Sequence, residues 1–171
     1  MKEFIISVTH FNHKNIIDYC DRPFDNVFYM NETIIKNWNS VVKKDDIVWH
    51  LGDFGMGSQE EIRNIVSRLN GKIYLVKGNH DNHSDKWYYD CGFAKVYDRP
   101  VLVKDYFILS HHPRNANANI YGYIYGHVHN DDMYKDYTKN SFCACVERIN
   151  YTPIEFDKAI KYMTSIDIKE N

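Results

Sequence analysis

Short apolar runs alternate with amphipathic helical patterns along most of the chain. Residues 31–43 have apolar side chains at helical spacing after Asn31, which predicts a helix capped by that asparagine. The capping box Ser58-Gln59-Glu60-Glu61 predicts a second helix, which Asn70-Gly71 ends, and Thr152-Pro153-Ile154-Glu155 predicts a third. Apolar runs of strand length lie between the helices, at residues 3–8, 46–51, 72–77, 95–103, 105–110, 120–125 and 141–147. The alternation of strands and helices predicts an α/β fold.

Polar side chains follow several of the predicted strands at turns, most of which contain glycine. They lie in five fragments: Thr9-His10-Phe11-Asn12-His13, Gly52-Asp53, Gly78-Asn79-His80-Asp81, Ser110-His111-His112-Pro113 and Gly126-His127-Val128-His129. Glycine permits sharp turns, and the loops at the carboxyl ends of strands are where α/β sheets bind ligands. Imidazole and carboxylate groups bind transition metals, and the two imidazoles of His127-Val128-His129 face the same side if that segment is extended. The fragments together predict a hydrolytic centre of two metal ions.

Composition and charge are those of an ordinary globular protein. At 171 residues, with 44% hydrophobic and 26% charged residues, we expect a single domain over residues 1–171. The net charge of -2 gives no strong signal for nucleic acid binding. We recognise neither a signal peptide nor a membrane-spanning stretch, and the four scattered cysteines contain no CxxC pair. We therefore expect a cytoplasmic protein with reduced thiols and no membrane partner.

The order and spelling of the five fragments resemble the calcineurin-like metallophosphoesterases, over about residues 4 to 160. The string His13-Lys14-Asn15-Ile16-Ile17 is similar to a branch of small, uncapped bacterial and phage members. The resemblance implies a four-layer α/β/β/α sandwich, in which helices flank two mixed sheets and the metal centre lies on loops at one end. It also implies that Asp53 bridges two metal ions. The remaining ligands would be His10 and His129 at the first site and Asn79, His111 and His127 at the second.

The same resemblance implies a chemistry. Two divalent transition-metal ions, Mn, Fe or Zn with Mn favoured, would lie about 3.5–4 Å apart around a bridging hydroxide that attacks phosphorus. His80 is the candidate for protonating the leaving oxygen, and Asp81 could orient His80 by accepting its other N–H. Asn79, His13 and Arg114 are candidates for binding the substrate phosphate. Equally, His13 could begin a short helix and Arg114 could be a solvated loop residue.

One position departs from the family pattern, because Val8 stands where family members have an aspartate two residues before His10. Valine has no donor atom, so the first site would keep only His10, the shared Asp53 and His129. Three explanations are open. The chain is an engineered variant with slower turnover, or a natural protein with a weakly occupied first site, or a protein that has lost catalysis and binds a phosphorylated ligand.

The sequence favours a metal-dependent phosphoester hydrolase that cleaves diesters of a small phosphorylated substrate, such as a nucleotide. The preference for diesters rests on the resemblance and on the presence of His80. Trp87-Tyr88-Tyr89, which lies shortly after His80, could line the edge of the substrate pocket. The alternatives are a phosphomonoesterase and a non-catalytic protein that binds a nucleotide or another phosphate ligand.

Overall fold

The computed structural model describes residues 1–113 and 121–166, in which nine strands form two mixed sheets. In chain order the strands are β1 (Glu3–Ile6), β2 (Ile47–His50), β3 (Lys72–Val76), β4 (Lys95–Tyr97), β5 (Val101–Val103), β6 (Phe107–Ser110), β7 (Gly122–Tyr125), β8 (Ser141–Cys143) and β9 (Ile154–Glu155). The larger sheet has the order β4-β3-β2-β1-β9, with only β9 antiparallel to its neighbour. The smaller sheet has the order β5-β6-β7-β8, with only β5 antiparallel.

Helices connect and flank the sheets. They are α1 (Ile16–Tyr19), α2 (Val27–Val41), α3 (Gln59–Arg68), α4 (Asp85–Cys91), a 3-10 helix (Val146–Arg148) and α5 (Phe156–Thr164). Alternate residues of β1 face two cores, since Phe4 packs with α2 residues such as Trp38 while Ile5 packs with Leu109 of the other sheet. This is the predicted arrangement of two mixed sheets with flanking helices. Within the described ranges, none of the helices is long and apolar enough to span a membrane.

The start of α2 differs from the prediction. Asn26, not Asn31, caps this helix, and its side chain accepts the N–H of Tyr29 at 3.0 Å. Asn31 lies inside the helix and is buried, where its amide accepts the N–H of Asn12 at 3.1 Å and donates to the Asn12 side chain at 2.7 Å. The predicted cap at Asn31 was therefore wrong, because that side chain instead holds the loop after β1.

Other element ends also differ, whereas the capping box at Ser58 is confirmed. The run at residues 95–103 contains β4 and β5, which belong to different sheets, and the strand predicted at residues 141–147 ends at Cys143. The predicted helix start at Pro153, after a cap at Thr152, was wrong, because Ile154–Glu155 pairs with β1 and α5 begins at Phe156. Helix α4 was not predicted, although Ser84 caps it.

The loops after β1, β2, β3, β6 and β7 meet and bring the five polar fragments together. The N–H groups of Val8 and His10 donate to the carbonyls of Gly52 and Asp53, each at 3.0 Å, so the loops after β1 and β2 run side by side. The N–H of Gly126 donates to the carbonyl of His111 at 2.9 Å and joins the loops after β6 and β7. Parallel strands place their carboxyl ends at one edge, which explains why residues distant in sequence converge there.

Candidate metal centre

The residues predicted for the second metal site are brought together from four loops. His111 Nε2 lies 2.9 Å from Asn79 Oδ1 and 3.1 Å from His127 Nδ1. Asn79 Oδ1 is 3.0 Å from His127 Nδ1, and Asp53 Oδ2 is 3.3 Å from His111 Nε2. Ligand atoms bound to one ion at about 2.1 Å, with right angles between them, are about 3 Å apart. The spacing of these four side chains therefore fits a shared divalent cation.

Hydrogen bonding around His111 supports the same conclusion. His111 Nδ1 lies 2.7 Å from the carbonyl oxygen of Leu51, which accepts its proton and leaves Nε2 with a lone pair. That lone pair faces the amide oxygen of Asn79 and the carboxylate of Asp53. Electron-rich atoms so close together repel one another unless a positive charge lies between them. The donor set therefore fits a metal ion by its chemistry as well as by its spacing.

The first predicted site shares Asp53 with the second. His10 Nε2 lies 3.6 Å from Asp53 Oδ2, the same oxygen that faces His111. This nitrogen is buried and has no hydrogen-bond partner among the residues that the structure describes. The ring of His129 stacks on that of His10, with 5.2 Å between their centroids. A buried nitrogen without a partner is costly, so these residues also fit a cation.

Val8 is fully buried beside this first site and packs in the core on the helix side of the larger sheet. Its φ of 53° is left-handed, which is an outlier for a β-branched residue. The backbone is thus held in the turn conformation although the side chain offers no ligand. Among the predicted ligands of the first site, Asp53 is the carboxylate.

Left-handed backbone is common to several residues of the centre, with φ of 51° at His10, 56° at Asp53, 66° at His127 and 49° at His129. Such conformations are strained for residues that carry a side chain, and they persist where surrounding contacts hold them. They also show that the condition for both imidazoles to face one side, an extended segment, is not met. Because His127-Val128-His129 is not extended, His127 faces the second cluster and His129 stacks on His10.

Burial sets the protonation of the centre. Burial lowers the pKa of His10 to about 2 and, with neighbouring histidines, lowers that of His127 to about 4. Burial raises the pKa of Asp53, but the neighbouring His111 and the backbone N–H of His80 outweigh it, so the pKa lies well below its usual range. At neutral pH His10 and His127 therefore present imidazole lone pairs and Asp53 an ionised carboxylate, which is the state that binds metals.

A buried carboxylate that the motifs did not reveal contacts the first site. Glu147 Oε1 lies 2.9 Å from His129 Nδ1 and accepts two N–H groups of Arg22 at 2.8 and 3.0 Å. Burial lowers the pKa of His129, but hydrogen bonds with Cys20 and Glu147 outweigh it and raise that pKa to about 9. Glu147 follows a strand only after several residues and lies in a 3-10 helix, so no motif spacing could have found it.

Asp81 has other partners than the sequence suggested. Its Oδ2 atom accepts the N–H groups of Asp53 at 2.7 Å and Gly78 at 2.8 Å, and its Oδ1 atom accepts that of Phe54 at 3.1 Å. Burial raises the pKa of Asp81, and these hydrogen bonds offset that effect only in part. Among the residues that the structure describes, no hydrogen bond joins Asp81 to the His80 ring. Asp81 therefore joins the two turns rather than orienting His80.

His80 and His13 lie beside His10. The ring centroids of His80 and His10 are 5.4 Å apart, and the His80 side chain is exposed. The backbone N–H of His80 donates to Asp53 Oδ1 at 2.9 Å. His13 Nδ1 lies 3.2 Å from His10 Nδ1. Helix α1 begins at Ile16 after Asn15, so His13 lies before the helix, with its ring beside that of His10.

A cavity of about 180 Å³ adjoins His80. Its walls include Met56, Trp87 and Tyr88, and the ring of His83 stacks on Trp87 with 3.9 Å between centroids. Of the segment Trp87-Tyr88-Tyr89, the first two residues therefore line this cavity. A larger cavity of about 510 Å³ lies beside β9 and the 3-10 helix, and none of the predicted site residues lines it.

Two further positions complete the comparison with the predicted site. Arg114, a predicted phosphate contact, lies outside the described residues. His112, which was not predicted, packs its ring 4.2 Å from that of His127. Ligand atoms of His111, His112 and His127 lie within 4.8 Å of one another. His112 was visible in the Ser110-His111-His112-Pro113 fragment, but nothing in the spelling separated it from His111.

These observations define an α/β protein of two mixed sheets, with a cluster of histidine, aspartate and asparagine side chains on its loops whose spacing and chemistry fit divalent metal ions. The family model of the calcineurin-like phosphoesterase superfamily domain matches residues 1–143. The chain therefore belongs to the calcineurin-like phosphoesterase superfamily, whose members typically bind divalent metal ions and act on phosphorylated substrates.

Relatives support this assignment. The chain is 38% identical over 169 residues to the uncharacterized protein MJ1445 of Methanocaldococcus jannaschii, covering 94% of this chain and 90% of that protein. It is 39% identical over 75 residues to the Gene 66 protein of Mycobacterium phage L5, covering 42% of this chain and 36% of the phage protein. The crystal structure of AQ665 from Aquifex aeolicus, a protein of unknown function, matches with a TM-score of 0.71 at 29% identity, over 94% of this chain and 98% of that one. The phage relative agrees with the predicted likeness to small phage members.

Proposed function

We propose that this chain hydrolyses diesters of small phosphorylated molecules, such as nucleotides, at a centre of two divalent cations, with Mn²⁺ favoured. The position of Asp53 supports this best, because its Oδ2 atom faces His10 Nε2 at 3.6 Å and His111 Nε2 at 3.3 Å. A carboxylate between two imidazole clusters is what a bridged pair of cations requires. The first ion would be held by His10, Asp53 and His129, and the second by Asp53, Asn79, His111 and His127.

The cations would supply positive charge for the phosphoryl oxygens and acidify the attacking water. The residues of the chain set the geometry. The Leu51 carbonyl orients His111, and the backbone N–H of His80 holds Asp53 through the oxygen that does not face the imidazoles. The exposed His80 ring lies between His10 and the 180 Å³ cavity, where it can donate a proton to the leaving oxygen. The organic part of the leaving group would occupy that cavity, while Asn79 and His13 contact the phosphate.

The alternative is a non-catalytic protein that binds a phosphorylated ligand. The valine at position 8 favours this alternative, because the first site has only the carboxylate of Asp53 among its predicted ligands, where the family pattern has two carboxylates to balance the charge of the cations. Tight calorimetric binding of a nucleotide in the presence of Mn²⁺, without any product, would support this alternative.

Turnover of a bis-aryl and a mono-aryl phosphate with Mn²⁺ tests the proposal. We expect faster diester hydrolysis, and loss of both bound Mn²⁺ ions in Asp53→Asn. His80→Ala should lower diester turnover by about 10²–10⁴-fold with unchanged Mn²⁺ content. Lys44→Ala, which removes an exposed side chain before β2, at the opposite end of that strand from Asp53, is the control and should retain turnover. Faster monoester hydrolysis would reverse the diester preference, and loss of Mn²⁺ from His80→Ala would make His80 a ligand.

A further inference from the structure

A carboxylate from a distant part of the chain contacts the first metal site, where Val8 offers no ligand. Glu147 lies in the 3-10 helix after β8, and its side chain is only 6% exposed. Its Oε1 atom lies 2.9 Å from Nδ1 of His129. An acceptor at this distance holds the proton on Nδ1 and leaves Nε2 as the nitrogen for a cation.

Arg22 connects the same carboxylate to the turn that contains His10. Its side chain is fully buried, and its Nε and Nη2 atoms donate to Glu147 Oε1 at 3.0 and 2.8 Å. The guanidinium also donates to the carbonyl of Val8 at 2.7 Å and to that of Thr9 at 2.9 Å. These two peptide units lead directly into His10. One ion pair therefore fixes the His129 ring and the backbone before His10 at the same time.

We propose that Glu147 is a positioning residue of the first metal site, acting directly on His129 and, through Arg22, on the turn from Val8 to His10. This inference rests on the proposed function, because it assumes that His10 and His129 bind a cation. The positive charge of Arg22 balances that of Glu147, so Glu147 supplies orientation and does not replace the charge of the missing aspartate. The same positive charge opposes a separate cation among Cys20, His129 and Glu147, whose ligand atoms lie within 4.8 Å of one another.

Calorimetric titration with Mn²⁺ tests the inference in the complete chain. Wild type should bind two ions, and Glu147→Leu should bind the first at least about tenfold more weakly while the second is unchanged. Glu147→Gln keeps an acceptor at the same position and should recover most of the Mn²⁺ affinity. If Glu147 acted through its charge, this variant would bind the first ion as weakly as Glu147→Leu. Glu155→Leu, which removes a carboxylate on β9, is the control and should bind both ions like wild type.

The unmodified protein provides a second measurement that does not depend on how the variants fold. In nitrogen-15 spectra with Zn²⁺ as a diamagnetic probe, His129 should keep its proton on Nδ1 and bind through Nε2. A proton on Nε2, a third bound ion, or two ions bound equally tightly by Glu147→Leu would each overturn the inference. A wild-type chain that binds no ion would instead overturn the proposed function itself.

Discussion

Asp81→Asn removes an acceptor from the junction between the two metal-binding turns, and hydrogen-bond geometry gives the size of the effect. The Asp81 side chain is 5% exposed and accepts three backbone N–H groups at 2.7, 2.8 and 3.1 Å. Asparagine has the same size, but its NH₂ group must face at least one of these donors. One buried N–H then lacks a partner, at about 1–3 kcal/mol, and the remaining hydrogen bonds lose their charge assistance. We expect the free energy of unfolding to fall by about 2–4 kcal/mol.

Urea unfolding followed by tryptophan fluorescence measures this loss, with an unchanged m-value as the sign that the compactness of both states is preserved. Asp90→Asn is the matched control, because Asp90 is partly exposed and forms a surface ion pair with Lys86 at 2.7 Å. The control should change the unfolding free energy by no more than about 0.5 kcal/mol. A loss below about 1 kcal/mol in Asp81→Asn, together with a large fall in turnover, would refute the structural role and restore Asp81 as a partner of His80.

The other predictions concern the close approach of the turns, pH and metal removal. A Cβ atom at Gly78 would lie 2.7 Å from the backbone nitrogen of Asp53. Gly78→Ala should therefore push the two turns apart and lose both bound Mn²⁺ ions, as measured by metal analysis of the purified protein. The control Gly92→Ala, away from the centre, should bind both ions. Asp46 accepts two backbone N–H groups at 2.7 and 2.8 Å, which lower its pKa below 3.8. The contribution of ionised Asp46 to the free energy of unfolding should be complete above about pH 5 and lost as the pH falls through the folded pKa. In urea unfolding, the stability of Asp46→Asn should therefore converge with that of wild type at low pH. The control Asp45→Asn should have the stability of wild type at every pH. EDTA should abolish turnover and lower the midpoint of thermal unfolding, with recovery on addition of Mn²⁺; unchanged turnover would contradict a metal-dependent centre.

Local sequence patterns predicted the helices and strands whose local conformational preference agrees with their place in the folded protein. The strands before His10, Asp53 and Asn79 are parallel neighbours, so an apolar run followed by a polar turn was a sufficient signal. The segment Thr152-Pro153-Ile154-Glu155 has the local features of a helix start, but Ile154–Glu155 pairs with β1. Pairing at a sheet edge outweighed the local preference there. No local pattern contains that information.

The site could be predicted where a residue acts through its own loop, and not where it acts across loops. The histidines and Asp53 stand at strand ends and were visible as motifs. Glu147 reaches His129 from 18 residues away, and Asp81 reaches Asp53 across 28 residues. The roles of these two carboxylates depend on which backbone and ring nitrogens lie within about 3 Å, and only the folded structure determines that.

Val8 is the residue on which the central claim depends, and its backbone is left-handed. At a φ of 53° an aspartate is better tolerated than a β-branched valine, so Val8→Asp should keep the turn intact. The most direct measurement is therefore the Mn²⁺-dependent hydrolysis rate of a bis-aryl phosphate by the two proteins side by side. The account predicts measurable turnover by both, with Val8→Asp faster by at least about tenfold. No turnover by either protein, with Mn²⁺ bound, would contradict it.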